Sequence, residues 1–154
     1  MKKILVLLIV FILLTACHTQ KLSKEDELYY HYVDKLNNCT QYIENTSDFS
    51  LSLHYEKIDK EYCYVLVLDK TVIPMYDIVF ICDGGEKEML PSVGIYDVEE
   101  YHLIPNKIDK VNGFYKGLQL SGLVTEKKDI RVYLHYYTDK QKTKDKEMFI
   151  KVKV

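Results

Sequence analysis

The most regular stretch of the sequence is IRVYLHYY at residues 130–137, in which two sets of side chains alternate. Ile130, Val132, Leu134 and Tyr136 form one set, and Arg131, Tyr133, His135 and Tyr137 form the other. Because successive side chains of a β-strand point to opposite faces of a sheet, this period of two predicts a strand. Residues 148–154 alternate in the same way, and the polar run 138–147 between them predicts an exposed loop. We therefore expect a terminal β-hairpin.

Further segments towards the N-terminus also have strand patterns. Residues 49–56 alternate between apolar and polar side chains, which indicates a strand with one buried face. Residues 62–68 and 75–82 are nearly continuous apolar runs rich in β-branched and aromatic side chains, typical of central strands covered on both faces. Weaker segments at 94–103 and 114–124 bring the expected number of strands to about seven.

One helix is expected before the strands. Ser23 is a favourable N-cap residue, and the acidic residues Glu25 and Asp26 follow it in the first turn. Apolar side chains then recur at helical spacing at positions 28, 29, 32, 33 and 36, which predicts a helix over residues 23–37. A helix of this length is unstable alone, so its apolar stripe should pack against the strands.

These elements favour an all-β fold, an antiparallel β-sandwich over residues 49–154 preceded by the short helix. In strand count and spacing this segment resembles an immunoglobulin-like domain of a Gram-positive surface lipoprotein. The chain has no tryptophan and no Cys–Trp–Cys arrangement, so the resemblance does not imply membership of the antibody family. The alternative is an α+β domain in which the helix covers one face of a single sheet.

The first residues carry a secretion pattern. Lys2 and Lys3 precede the apolar run 4–14, which has the length of a signal peptide and is too short to cross a bilayer. Leu14-Thr15-Ala16-Cys17 resembles the lipobox of bacterial lipoproteins. That resemblance implies cleavage after residue 16, a diacylglyceryl group on Cys17 with palmitate-type chains, and a lipid anchor on the extracytoplasmic face of the cell membrane. Residues 1–16 are then the signal peptide, 17–22 the lipidated tether and 23–154 one globular domain.

Charge and cysteine content narrow the classes of partner and site. The formal net charge is -2 and Arg131 is the only arginine, so nucleic acid is not an expected partner. Besides Cys17 the chain has Cys39, Cys63 and Cys82, without the paired spacing of a zinc site. Cys63 and Cys82 could form a disulfide if their apolar runs pair as neighbours; otherwise all three are buried thiols. We expect no metal and no cofactor.

No catalytic motif is present in the sequence. The histidines lack ligand spacing, and Ser92 and Ser121 lack the context of a nucleophile elbow. We therefore expect a protein that is not an enzyme. An envelope hydrolase would require a cleft that joins His102 or His135 to a carboxylate and a nucleophile.

Tyrosine is the most unusual component, with 14 residues in the chain. Tyrosine gives a large amphipathic contact area at low entropy cost, so the strand residues Tyr55, Tyr133, Tyr137 and the neighbouring His135 are candidate binding residues. The helix stripe could instead cover the face that holds Tyr133 and Tyr137. The sequence favours a non-enzymatic protein-interaction module of the envelope, secretion-accessory or immunity type. The alternative is a small-ligand or glycan-binding lipoprotein whose exposed tyrosines form a concave cluster, whereas an open sheet edge would favour the interaction module.

Overall fold

The computed structural model describes residues 22–85 and 89–154. The expected signal peptide and Cys17 lie outside the described residues. Within these two ranges, helix α1 (Lys24–Asn38) and nine strands follow in chain order, with a 3₁₀ turn at Lys110–Asn112. The strands are β1 (Ser50–Ile58), β2 (Glu61–Asp69), β3 (Tyr76–Asp83), β4 (Ser92–Val93), β5 (His102–Leu103), β6 (Phe114–Tyr115), β7 (Gly117–Val124), β8 (Ile130–Tyr137) and β9 (Asp145–Val152).

The start of α1 follows from its first residues. The backbone N–H of Asp26 donates to Ser23 Oγ at 3.0 Å, and the N–H of Ser23 donates to Asp26 Oδ2 at 3.2 Å. This capping box satisfies two backbone donors that a helix N-terminus otherwise leaves without partners. The predicted helix over 23–37 is therefore confirmed, with a shift of one residue at each end.

The strands form the predicted antiparallel sandwich. One sheet has the order β1-β2-β7 and the other has the order β4-β3-β8-β9, while β5 and β6 form a separate two-residue parallel pair. The terminal hairpin is β8 and β9, in register from Ile130 opposite Val152 to Tyr137 opposite Asp145. Its loop is shorter than predicted because β9 begins at Asp145.

Two apolar clusters cover both faces of the four-stranded sheet. The first lies between the sheets and joins Tyr64, Leu66 and Leu68 of β2 to residues of β3, β7 and β8. The second lies under α1, where Tyr29 and Leu36 pack with Val79, Ile81, Ile95 and Tyr133. The helix thus covers one sheet face, as the α+β alternative expected, but it covers one sheet of two.

The prediction that residues 62–68 form a strand covered on both faces was wrong in one respect. Residues 78–83 of β3 are all buried, whereas only every second residue of β2 is buried. Because β2 lies in the three-stranded sheet, its outer side chains Cys63, Val65 and Val67 have no covering layer and are half-buried.

The considered disulfide between Cys63 and Cys82 is absent. The two cysteines lie on strands of different sheets, so the premise that their apolar runs pair as neighbours was wrong. Cys82 is buried between the sheets, with its sulfur 3.3 Å from the hydroxyl oxygen of Tyr64, whereas Cys63 lies on the outer face of β2.

The burial pattern of β8 can be tested by substitution. Leu134 is fully buried, so Leu134→Ala should lower the free energy of unfolding by about 2–5 kcal/mol through lost apolar contact and a cavity. Lys151→Ala, on the neighbouring strand, removes only an exposed ion pair with Asp129 and should cost less than about 1 kcal/mol. Urea melts of the purified protein compare the two variants, and equal midpoints would contradict the assigned faces.

Candidate functional site

Tyr133, a candidate binding residue, is not accessible to a partner. Its side chain is 0 % exposed under α1, where the ring of Tyr32 stacks on it with 4.9 Å between centroids. The Tyr133 hydroxyl donates to Glu147 Oε1 at 2.8 Å, and burial together with this bond raises its pKa. Tyr133 therefore cannot belong to a recognition surface, because the apolar stripe of the helix covers it.

Tyr55 also has a structural role. It lies half-buried on β1, its hydroxyl donates to the carbonyl oxygen of Lys128, and the backbone N–H of Lys128 donates back at 3.3 Å. These bonds join β1 to the connection between β7 and β8. The ring also packs against Tyr64 in the core, with 6.3 Å between centroids.

His135 and Tyr137 lie beside the helix on the same sheet face, where both are half-buried. The two rings are 5.2 Å apart, and Tyr32 of α1 stacks over His135 at 6.3 Å. Burial lowers the pKa of His135, although Asp145 and Glu147 partly offset this effect. The sequence-predicted binding residues are therefore not gathered into one concave cluster: Tyr133, His135 and Tyr137 share a face, and Tyr55 lies on the other sheet.

His102 is held by the fold in a similar way. Its Nδ1 accepts a hydrogen bond from the backbone N–H of Asp77 at 3.1 Å, and the rings of Tyr76 and Phe114 lie 5.5 and 5.0 Å from it. Within residues 22–85 and 89–154, neither His102 nor His135 is hydrogen-bonded to a hydroxyl or thiol. The same residues contain no group of three or more His, Cys, Asp and Glu side chains able to hold a metal ion.

The outer edge of β7 is an open sheet edge. In the part of the chain that the structure describes, β7 pairs with β2 alone, from Gly117 opposite Asp69 to Val124 opposite Tyr62. Its other edge leaves alternate backbone N–H and C=O groups without a strand partner, which is a template for the addition of another strand. The segment between β4 and β7 does not extend this edge, because it forms the separate pair β5 and β6.

The other sheet edges of the described structure are charged, short or covered, which hinders the addition of another strand. β1 contains the charged residues Glu56 and Lys57, and β4 has only two residues. The edge of β9 is covered by Ile43, whose N–H donates to the carbonyl of Phe149 at 3.0 Å and whose carbonyl accepts from Lys151 N–H at 2.9 Å. In contrast, the eight residues of β7, GLQLSGLV, include no charge and no proline. We missed this edge from sequence, although its lack of charge was a signal.

A groove of about 660 Å³ continues from the start of β7. It is lined by Asp69 at the end of β2, by Tyr115 and Lys116 just before β7, and by residues 70–72 and 104–108. Three lysines lie in it, Lys70, Lys107 and Lys116, and we call it the basic groove. It therefore joins apolar surface and positive charge to an open sheet edge.

Comparison with known proteins adds no further assignment, because no family model, no curated protein and no solved structure matches the chain. None of the described helices is long and apolar enough to cross a membrane.

The burial of His135 predicts a pH dependence of stability. Folding lowers the pKa of His135 below 6.5, mainly by burial, so protonation favours the unfolded chain. The free energy of unfolding should be largest above this value and should fall as the pH drops from about 7.5 to about 5.5. Burial lowers the pKa of His102 too, which gives a second contribution of the same sign.

Melting midpoints across this range for the wild type and His135→Gln measure the contribution of one ring. The variant should lose less stability towards low pH, whereas His54→Gln, at an exposed position on β1, should match the wild type. A wild type that is more stable at the acidic end would contradict the sign.

Proposed function

We propose that this protein is a membrane-anchored, extracytoplasmic lipoprotein whose β-sandwich is a non-enzymatic protein-interaction module. An envelope, secretion-accessory or immunity role fits such a module. The lipobox at residues 14–17 supports the anchor, and the open edge of β7 is the observation that carries the interaction. Many peptide-recognition domains add an extended partner segment to an exposed strand in this way.

The position of the helix cap supports a module held close to the membrane. Only residues 18–22 separate Cys17 from the N-cap Ser23. Even fully extended, this tether spans roughly 20 Å. A partner of the anchored domain is therefore another component of the envelope or a protein that reaches its surface.

A second candidate function, small-ligand or glycan binding, has one observation in its favour. A groove of about 530 Å³ runs beside α1 and is lined by Tyr29, Tyr30, Val33, Met89 and Leu90, among others. Tyr30 is half exposed and its ring lies 5.4 Å from that of Tyr29. Aromatic rings exposed in a groove can stack on sugar rings, so this surface supports the alternative.

The anchor is tested by substitution of the lipobox cysteine. Cys17→Ser should abolish incorporation of a fatty-acid analogue, because the thiol is the group in this motif that accepts the diacylglyceryl chain. The variant should also leave the membrane fraction. Ala16→Gly, which keeps the thiol beside a small residue, is the control and should still be labelled. Label and membrane association retained by the serine variant would refute the lipobox interpretation.

The interaction surface is tested by site-specific photo-crosslinking in intact cells. A photoreactive residue at Leu123, which is 53 % exposed on β7, should give a discrete protein adduct. The same residue at Asp34, exposed on α1 across the sandwich, should give none. An adduct at Tyr30 with none at Leu123 would instead favour the groove beside the helix.

A further inference from the structure

The chemistry of the basic groove indicates what kind of segment would occupy it. Val72 and Ile108 are 65 % and 61 % exposed at its rim, so the groove presents apolar side chains to solvent. Among the described residues the ammonium groups of Lys70 and Lys116 form no ion pair, and that of Lys107 lies 3.4 Å above the ring of Phe114. The fold itself therefore makes little use of these charges.

The groove carries a net positive charge. Lys70, Lys107 and Lys116 face a single carboxylate among its lining residues, that of Asp69. Exposed lysines attract carboxylates over about 8–10 Å at physiological salt. A segment that combines apolar and acidic side chains thus complements this surface, whereas a basic segment is repelled.

The groove adjoins the start of the open strand. Lys116 lines the groove and Gly117 is the first residue of β7, paired with Asp69, which also lines the groove. The start of β7 is pressed against β2, because a Cβ atom at Gly117 would lie 2.8 Å from the carbonyl oxygen of Leu68. A chain that pairs with β7 and continues past Gly117 would leave the strand beside Lys116, at the end of the sheet where the groove lies.

We propose that β7 and the basic groove together bind one extended segment of a partner protein, which adds a strand to β7 and places acidic side chains among Lys70, Lys107 and Lys116. This inference rests on the proposed interaction function and names the chemistry of the partner. Main-chain hydrogen bonds to β7 supply the affinity, and the lysines supply the preference for carboxylates and fix the register. In antiparallel addition the acidic residues lie C-terminal to the added strand, and in parallel addition they precede it.

Labelled synthetic peptides test the proposal on the purified mature protein in detergent. Each probe has a strand-forming segment of alternating threonine and valine, with three glutamates either after or before it, and matched probes carry three lysines instead. Fluorescence anisotropy should show binding of one glutamate order and weaker binding of both lysine probes. The affinity should fall as sodium chloride is raised. Two further versions of the bound probe carry N-methyl groups at the odd or at the even positions of the strand. One of them should not bind, since only one set of its amides faces β7.

Lys70→Gly is the decisive variant, because it removes an ammonium group without straining the fold. Lys70 has φ +50°, a conformation that glycine adopts at no steric cost, so the melting midpoint should be kept or raised. Its affinity for the glutamate probe should fall about 1.5- to 5-fold, as for the loss of one exposed ion pair. Lys60→Ala, in the turn before β2 and at the opposite end of that strand from Lys70, loses the same charge and should bind as the wild type does.

Several results would overturn the proposal: equal or tighter binding of the lysine probes, unchanged binding of every N-methylated probe, or no binding of any probe. Sedimentation showing a dimer that Ser121→Pro on β7 dissociates would assign the edge to a second copy of this chain and would also overturn it. If the peptides fail while Cys17 is labelled and Leu123 still crosslinks to a protein, only this inference fails and the interaction function stands.

Discussion

The architecture depends on the burial of β3 and β8 on both faces. Ile78 to Asp83 of β3 are all buried, and β8 alternates core residues with Tyr133 on the opposite face. Two strands with apolar side chains on both faces require two covering layers. Strands β1, β2 and β7 cover one face, and helix α1 covers the other. The ion pair of Arg131 with Asp83 fixes the end of this sheet, where Asn37 of α1 also contacts Arg131.

This arrangement leaves the three-stranded sheet less complete than its partner. It has one covered face, and the segment that could have extended it beyond β7 pairs within itself as β5 and β6. Met75 and Leu103 exchange backbone hydrogen bonds of 2.8 and 2.9 Å, which tie that segment to the start of β3 and away from β7. The open edge is thus a consequence of where residues 102–115 pack, and it follows from the same contacts that complete the core.

Local sequence patterns predicted the helix and the strands better than they predicted which of these elements pack against each other. Alternation at 130–137 and the Ser23 cap are properties of a few adjacent residues, and both the strand and the helix were predicted correctly. Whether Tyr133 is covered depends on a helix almost 100 residues earlier, and whether Cys63 faces Cys82 depends on which sheet each strand joins. These are non-local choices that periodicity does not encode. The basic groove was not predictable for the same reason, since it joins the end of β2 to residues 104–108.

The central claim is that the outer edge of β7 is open in the isolated protein and available to a partner strand. Amide hydrogen exchange measured residue by residue by NMR tests this most directly. Along residues 117–124 the account predicts that every second amide exchanges rapidly while the intervening amides, bonded to β2, are protected, and that the interior amides of β8 are uniformly slow. Uniform protection of all β7 amides would show that this edge is already paired and would contradict the account.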